Sequence, residues 1–338
     1  MSITAGYDVG GAHLKVALAE NGRTIAVRQI ACPLWRGLDR LDAALAEAAD
    51  LVVRADAHAA TMTGELCEVF PDRASGVRAI VDRLQALMGP DVRIWMGLRG
   101  IGRADDARAD PISVASTNFL ASAALVARAL PDALLADMGS TTTDIIAVRD
   151  GAIAARGLTD GERLATGELV YSGLTRTDVS SVAQRGVLRG RTQRLAAGVF
   201  ANMADVRRVL GVLPDDVDQH ATLDGQGKSA TESVARFARC FGWDAGDASL
   251  GDWQAAAREI ADQQQREIAA AIGEVLANAG MPARAPIVAA GVGADVIAQI
   301  AEAEGREAIA FAEIAQATDD CRTWASRCAP AVAVALLA

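Results

Sequence analysis

The chain has 338 residues, 51% of them apolar, with 33 Lys and Arg against 43 Asp and Glu and a formal net charge of −10. That length exceeds one ordinary core and suits two α/β lobes, while the apolar fraction argues against disorder. The acidic balance weighs against a nucleic-acid partner, because gripping a phosphate backbone normally needs a basic face.

The chain opens with three short apolar runs, Ile3–Val9, Leu14–Ala19 and Thr24–Ile30, joined by Gly10-Gly11 and Asn21-Gly22. Such turns between alternating runs predict an antiparallel meander. Leu38 to Val53 places Leu38, Leu41, Leu45, Ala48 and Val52 at helical spacing. His58–Thr63 is β-like, Ser75–Met88 helical, Val92–Gly97 β-like, and Ser113–Leu130 an Ala-rich helix. The order is βββαβαβα.

It then begins again. Ala133–Met138, Asp144–Arg149 and Ala152–Gly157 are strands, and Trp253–Ala279 is a long helix. Ile287–Ala290 is β-like, Asp295–Glu304 helical, Ala308–Phe311 β-like and Arg322–Leu337 helical. Two α/β lobes are expected, at residues 1–130 and 131–338. An inserted subdomain at about 158–251 interrupts the second lobe as a cap, a lid or a partner surface. No basic leader precedes an apolar run, and no stretch approaches the ~20 apolar residues of a membrane span. Five cysteines without a CxxC pair predict reduced thiols, so a cytoplasmic protein with no membrane partner is expected.

Two constellations carry chemistry. In Gly6-Tyr7-Asp8-Val9-Gly10-Gly11-Ala12-His13-Leu14-Lys15 a strand ends on an acid, turns through two glycines and returns with a lysine. Glycines let backbone N–H groups approach an anion, and Lys15 can reach a phosphate oxygen. Ala136-Asp137-Met138-Gly139-Ser140-Thr141-Thr142-Thr143-Asp144 repeats the design with a hydroxyl-rich tip. One such hairpin reads equally well as an ordinary turn, whereas two, each opening a βββ unit, argue for a shared anion site. Asp8, Lys15 and Asp137 are the candidate catalytic residues. Gly10, Gly11, Gly139, Ser140, Thr141, Thr142 and Thr143 are candidate phosphate donors, and Asp8, Asp137 and Asp144 are candidate Mg2+ ligands.

These hairpins resemble the phosphate-1 and phosphate-2 loops of the acetate and sugar kinase/Hsp70/actin superfamily. The resemblance implies two RNase H-like, actin/hexokinase-type lobes. Ile287-Val288-Ala289-Ala290-Gly291-Val292-Gly293-Ala294-Asp295 sits where that superfamily has its adenosine motif, which adds Gly291 and Gly293 to the phosphate set. The glycines there are separated rather than adjacent, and Ala12 replaces the hydroxyl residue common after the first Gly-Gly. Both departures weigh against ATP or ADP and leave phosphate binding intact.

Three further segments resemble a narrower group, the hydantoinase/oxoprolinase-like proteins of tetrahydromethanopterin-linked one-carbon metabolism. They are Thr61–Val77 with Glu65, Phe70 and Arg73, Ala115–Phe119 with Asn118, and Asp160–Gly173 with Thr166, Gly167 and Tyr171. The group includes furanmethanamine ether synthases of methanofuran biosynthesis. The resemblance implies a transferase that joins an aminomethyl-furanmethyl diphosphate to the phenol of a γ-glutamyltyramine-type acceptor, releasing diphosphate with Mg2+. Its partners would be those small molecules, with a homodimer left open. Either aspartate of the hairpins could take the phenolic proton, since a phenol with pKa ~10 needs a base. Glu65, Arg73, Asn118, Thr166, Gly167, Tyr171 and, on the first hairpin, His13 are the expected substrate contacts. His58 and His220 are read as structural. An ATP-dependent kinase, an oxoprolinase-like hydrolase and a nucleotide-gated scaffold are the competing readings.

Overall fold

The computed structural model describes residues 2–338. β1 (Ile3–Val9), β2 (His13–Glu20) and β3 (Arg23–Ala31) form the antiparallel meander, with Asn21 and Gly22 both at positive φ, as a tight hairpin requires. β4 (Ala57–Met62) and β5 (Arg93–Trp95) add in parallel and a short β6 (Ile101–Arg103) closes the edge, giving the six-stranded order β3-β2-β1-β4-β5-β6. β6 is too short to announce itself by alternation and exists through its pairing with β5. The helix expected from Ser113 starts instead at Asn118, because Ser116 adopts φ +53, outside helical geometry.

The second lobe repeats the plan. β7 (Ala133–Met138) and β8 (Thr143–Arg149) form its hairpin. β9 (Ala152–Ile153) is shorter than expected and covers one end of the outer edge of β8; β10 (Leu169–Val170), from within the insertion, covers the other. β11 (Arg185–Leu188) and β12 (Arg191–Arg194) form a separate hairpin in the insertion. β13 (Ile287–Ala290) and β14 (Ala308–Ala310) extend the sheet in parallel, in the order β10-β8-β7-β13-β14. Both sheets therefore have three antiparallel strands followed by two parallel ones, the first with antiparallel β6 added at its edge, and the molecule has two RNase H-like lobes of the actin/hexokinase type.

Within the expected insertion, Val206, Phe237 and Phe241 meet Trp253 and Ile260 in a core apart from those of the two sheets, while Leu174 and Val217 pack with the second sheet. Trp253 and Ile260 belong to the 29-residue helix Leu250–Asn278, whose far half sets Ile268, Ile272 and Val275 against the second sheet. One helix thus fixes the insertion to its lobe. Residues expected as a single helix over Arg322–Leu337 form two, Arg322–Arg327 and Ala329–Leu337, divided at Cys328. Pro330 sits in the first turn of the second, where its missing N–H costs nothing.

The Ala329–Leu337 helix packs on β1, β2 and β4 of the first sheet and on the Asn118–Ala129 helix. Its approach is so close that a Cβ on Gly6 would lie 2.1 Å from the Ala331 carbonyl oxygen. Phe119, Leu125, Ile146, Phe311, Val332 and Val334 form a core shared by both lobes. Each large apolar side chain buried there contributes about 1.5–3 kcal/mol. Among the described residues no helix is long and apolar enough to cross a membrane.

Candidate active site

The two Gly hairpins face one cleft of about 730 Å3, lined from the first lobe by Gly10, Gly11, His13 and Lys15 and from the second by Asp137, Gly139, Ser140, Thr141 and Thr142. Each turn is tight: Gly10 N–H donates to the His13 carbonyl at 3.0 Å, and Gly139 N–H to the Thr142 carbonyl at 2.8 Å. The second turn is also braced from behind, where a Cβ on Gly173 would lie 2.5 Å from Thr141 N. Gln264, on the long helix, holds that glycine by donating to its carbonyl at 2.8 Å. The hydroxyl-rich tip is thereby fixed before any ligand arrives.

Asp8 and Lys15 are cross-strand partners on β1 and β2, and Lys15 Nζ donates to Asp8 Oδ2 at 2.9 Å. Asp8 is 1% exposed and does not line the cleft; Lys15 does, and screens it. Burial, the largest single effect, would lower the Lys15 pKa, but the charge and hydrogen bond of Asp8, with Cys328 and Asp137 adding to them, together raise it and keep the ammonium charged. Asn118 Nδ2 completes the cluster at 3.4 Å from Asp8 Oδ1.

Asp137 differs. It makes no side-chain hydrogen bond or ion pair among the described residues. Burial first, then the Asp144 carboxylate, push its carboxyl up to about 7 against the pull of Lys15, with Asp8 adding to the rise. Asp144 itself pairs with Arg163, whose guanidinium lies 3.6 Å from the centre of the Phe119 ring. The three expected metal ligands are therefore not equivalent. Asp8 and Asp144 already carry cationic partners, and among the described residues no three His, Cys, Asp or Glu side chains come together to hold an ion. An ion held by Asp8, Asp137 or Asp144 would therefore be held largely through water or a bound phosphate rather than by a cage of protein ligands.

The insertion builds the opposite wall with Asp160, Arg163, Leu169, Tyr171 and Arg176. Backbone N–H groups of Thr175 and Arg176 donate to the Ser140 carbonyl at 3.2 and 2.8 Å, so the hairpin turn itself positions Arg176. Its guanidinium lies 5.8 Å from the ring centre of Trp35 and has no carboxylate partner among the described residues. His220, read as structural, instead meets the cleft residue His13 edge-on, with ring centres 4.6 Å apart, and Trp35 at 6.0 Å. Both imidazoles have a buried Nε2 without a partner. Burial first, then the charges of His220, Lys15 and Arg176, lower His13 to about 3. His58 does play the structural part, bonding Tyr7 Oη through Nδ1 at 2.9 Å.

Several expected site residues stand back from the cleft. Gly291 and Gly293 pack the β13 turn onto the second hairpin: a Cβ on Gly291 would meet Met138 O at 2.2 Å, and one on Gly293 would meet Met138 Sδ at 2.4 Å. Thr143 is fully buried and donates to the Ser172 carbonyl at 2.6 Å. Thr166 and Gly167 end the Asp160–Thr166 helix, Gly167 as a left-handed cap and Thr166 donating to Glu168 at 2.9 Å. Arg73 binds Asp160 at 3.2 Å, joining the first lobe to the insertion. Glu65 is buried behind Ser116, which does line the cleft. Tyr171 lines it too and is 62% exposed.

Residues 56–330 match the hydantoinase/oxoprolinase family. The chain belongs to that family. It is 32% identical over 235 residues to the (4-{4-[2-(gamma-L-glutamylamino)ethyl]phenoxymethyl}furan-2-yl)methanamine synthase of Methanocaldococcus jannaschii, covering 69% of this chain and 70% of that protein. A synthase of the same name from Methanococcus vannielii is 35% identical over 106 residues, 31% of this chain and 47% of that protein. Among solved structures, nucleotide-free acetone carboxylase aligns over 90% of this chain and 68% of its own, at 10% identity and a TM-score of 0.57. That likeness is one of fold alone.

Proposed function

We propose that this protein is a transferase that forms an aryl ether in methanofuran-type cofactor biosynthesis. It displaces diphosphate from an aminomethyl-furanmethyl diphosphate with the phenol oxygen of a γ-glutamyltyramine-type acceptor. The observation that carries this reading is a donor-lined pair of hairpins converging with a carboxyl group poised near neutrality. The relatives' name supports it, since their product contains a phenoxymethyl link between a substituted phenol and a furan.

In this reading the carbon–oxygen bond to diphosphate breaks with its electron pair leaving on oxygen. Lys15, Arg176 and the N–H and hydroxyl groups of Gly139–Thr142 stabilise that charge as it develops. The furan ring delocalises the positive charge left on its methylene, so departure needs little help from the nucleophile. Asp137, as carboxylate, takes the phenolic proton while the new carbon–oxygen bond forms. Trp35, Leu66 and Tyr171 offer apolar surface to the acceptor ring. Mg2+ would enter as a companion of the diphosphate. The reaction belongs in the cytoplasm.

Incubation with the diphosphate and the phenol should yield the ether by mass spectrometry together with one equivalent of diphosphate. ATP-dependent phosphorylation of the acceptor, with no ether formed, would overturn the reading. Gly291 and Gly293, expected as an adenosine motif, pack against Met138 instead of facing the cleft. Calorimetric titration should accordingly show diphosphate binding more tightly than ATP, each with Mg2+.

A further inference from the structure

The cleft is rich in donors at its phosphate end, yet one wall is built the other way. Ser116 lines the cleft but is only 4% exposed, and its Oγ donates to Glu65 Oε1 at 2.8 Å. A serine hydroxyl has one proton. With that proton committed to Glu65, all the Ser116 oxygen can do for a ligand is accept.

The arrangement is costly to keep. Ser116 holds φ +53, a left-handed conformation that a non-glycine residue rarely adopts without cause. Glu65 is 1% exposed, and its second oxygen, Oε2, is buried without a partner. A buried carboxyl with an unmet oxygen is destabilising unless positive charge comes near. Gly76 makes room for it, since a Cβ there would lie 2.7 Å from the Glu65 carbonyl oxygen. Burial raises the Glu65 pKa, against the hydrogen bond from Ser116 and the charge of Arg73. Glu68, also on the cleft wall, has no cationic partner among the described residues.

We propose that Ser116, oriented by Glu65, accepts a hydrogen bond from a primary ammonium group of the substrate, so that this wall is a subsite for an alkylammonium ion. The inference rests on the function proposed above, and it assigns one end of the furan diphosphate. The diphosphate lies among Lys15, Arg176 and the second hairpin, and the aminomethyl group lies at Ser116. That the relatives' product is a methanamine agrees with a donor at this end. Glu65 is a positioning residue, since it acts through the serine.

The test is calorimetric binding of the aminomethyl-furanmethyl diphosphate and of its analogue with methyl in place of aminomethyl. The wild-type protein should prefer the amine by about ten- to hundredfold, the effect of one hydrogen bond to a charged group. Ser116→Gly suits the left-handed backbone, so it should fold, and it should lose this preference while binding the methyl analogue as before. Glu65→Gln can donate its amide proton to Ser116 and free the serine hydroxyl to donate; it too should lose the preference, with thermal stability measured alongside. Equal binding of both ligands by the wild type, or a preference unchanged in Ser116→Gly, overturns the subsite alone. Failure of the wild type to bind either diphosphate overturns the proposed function with it.

Discussion

Lys15 Nζ lies 2.9 Å from Asp8 Oδ2 across the β1–β2 ladder, and of the two residues only the lysine lines the cleft. Asp8 is thus the buried counter-charge of the lysine that faces the cleft. Lys15→Ala should therefore do two things at once. Turnover should fall by orders of magnitude, and the fold should lose about 3 kcal/mol because a buried carboxylate is left unpaired. The double variant Asp8→Asn, Lys15→Met should recover much of the stability in denaturant titration and none of the activity. Full stability of Lys15→Ala alone would refute this coupling.

Asp137, raised to about 7, acts as a base only above that pH. The rate with limiting substrate should rise through pH 7 and then level. Asp137→Asn should abolish that limb and lower the rate about 10²–10⁴-fold. The same shift has a sign for stability. Between an unfolded value of about 4 and a folded value near 7 the native state holds the extra proton, so stability contributed by this group falls as pH rises through that window. Asp137→Asn should flatten that fall in thermal melts.

Metal dependence should follow the ligand. With Asp8 and Asp144 already paired, Mg2+ alone should give no binding heat, and should bind when diphosphate is present. Added Mg2+ should not rescue Asp8→Asn. Saturable Mg2+ binding without phosphate would show a site that these side chains do not form.

Arg176 has no acid to release and an exposed place, so Arg176→Met should leave melting unchanged. It should raise KM for the diphosphate about ten- to hundredfold, as expected for a lost charged contact.

His13 gives acid sensitivity. Its folded value near 3 lies below an ordinary histidine, so the unfolded chain takes up the proton first, and stability drops as pH falls from about 6.5 toward 3. His13→Phe keeps a ring of similar shape and should reduce that loss, read from urea midpoints at pH 6 and pH 4.

The fold was legible because acid, paired glycines and returning apolar run occur twice, and local turn chemistry decides such hairpins. The element order followed from periodicity, while boundaries moved where one residue departs from the pattern, as at Ser116 and Cys328. The hydroxyl-rich hairpin tip, which the structure sets on the cleft, was equally plain. The opposite wall was hidden, for Trp35, Arg176 and His220 meet only when the insertion folds back onto the first lobe. Thr166 and Gly167 were legible in another sense: Thr159 and Glu162 form a capping box and Gly167 ends the same helix, the ordinary signature of a helix with caps at both ends.

The helix Ala329–Leu337 covers β1 and β2, strands made at the opposite end of the chain. On the ribosome those strands emerge long before their cover does. Their inner face, with Ala17 and Ala19, belongs to the shared core and stays open until the helix arrives. The first sheet therefore keeps this apolar face open while the roughly three hundred residues between strand and helix are made, and its core closes only once the helix can dock.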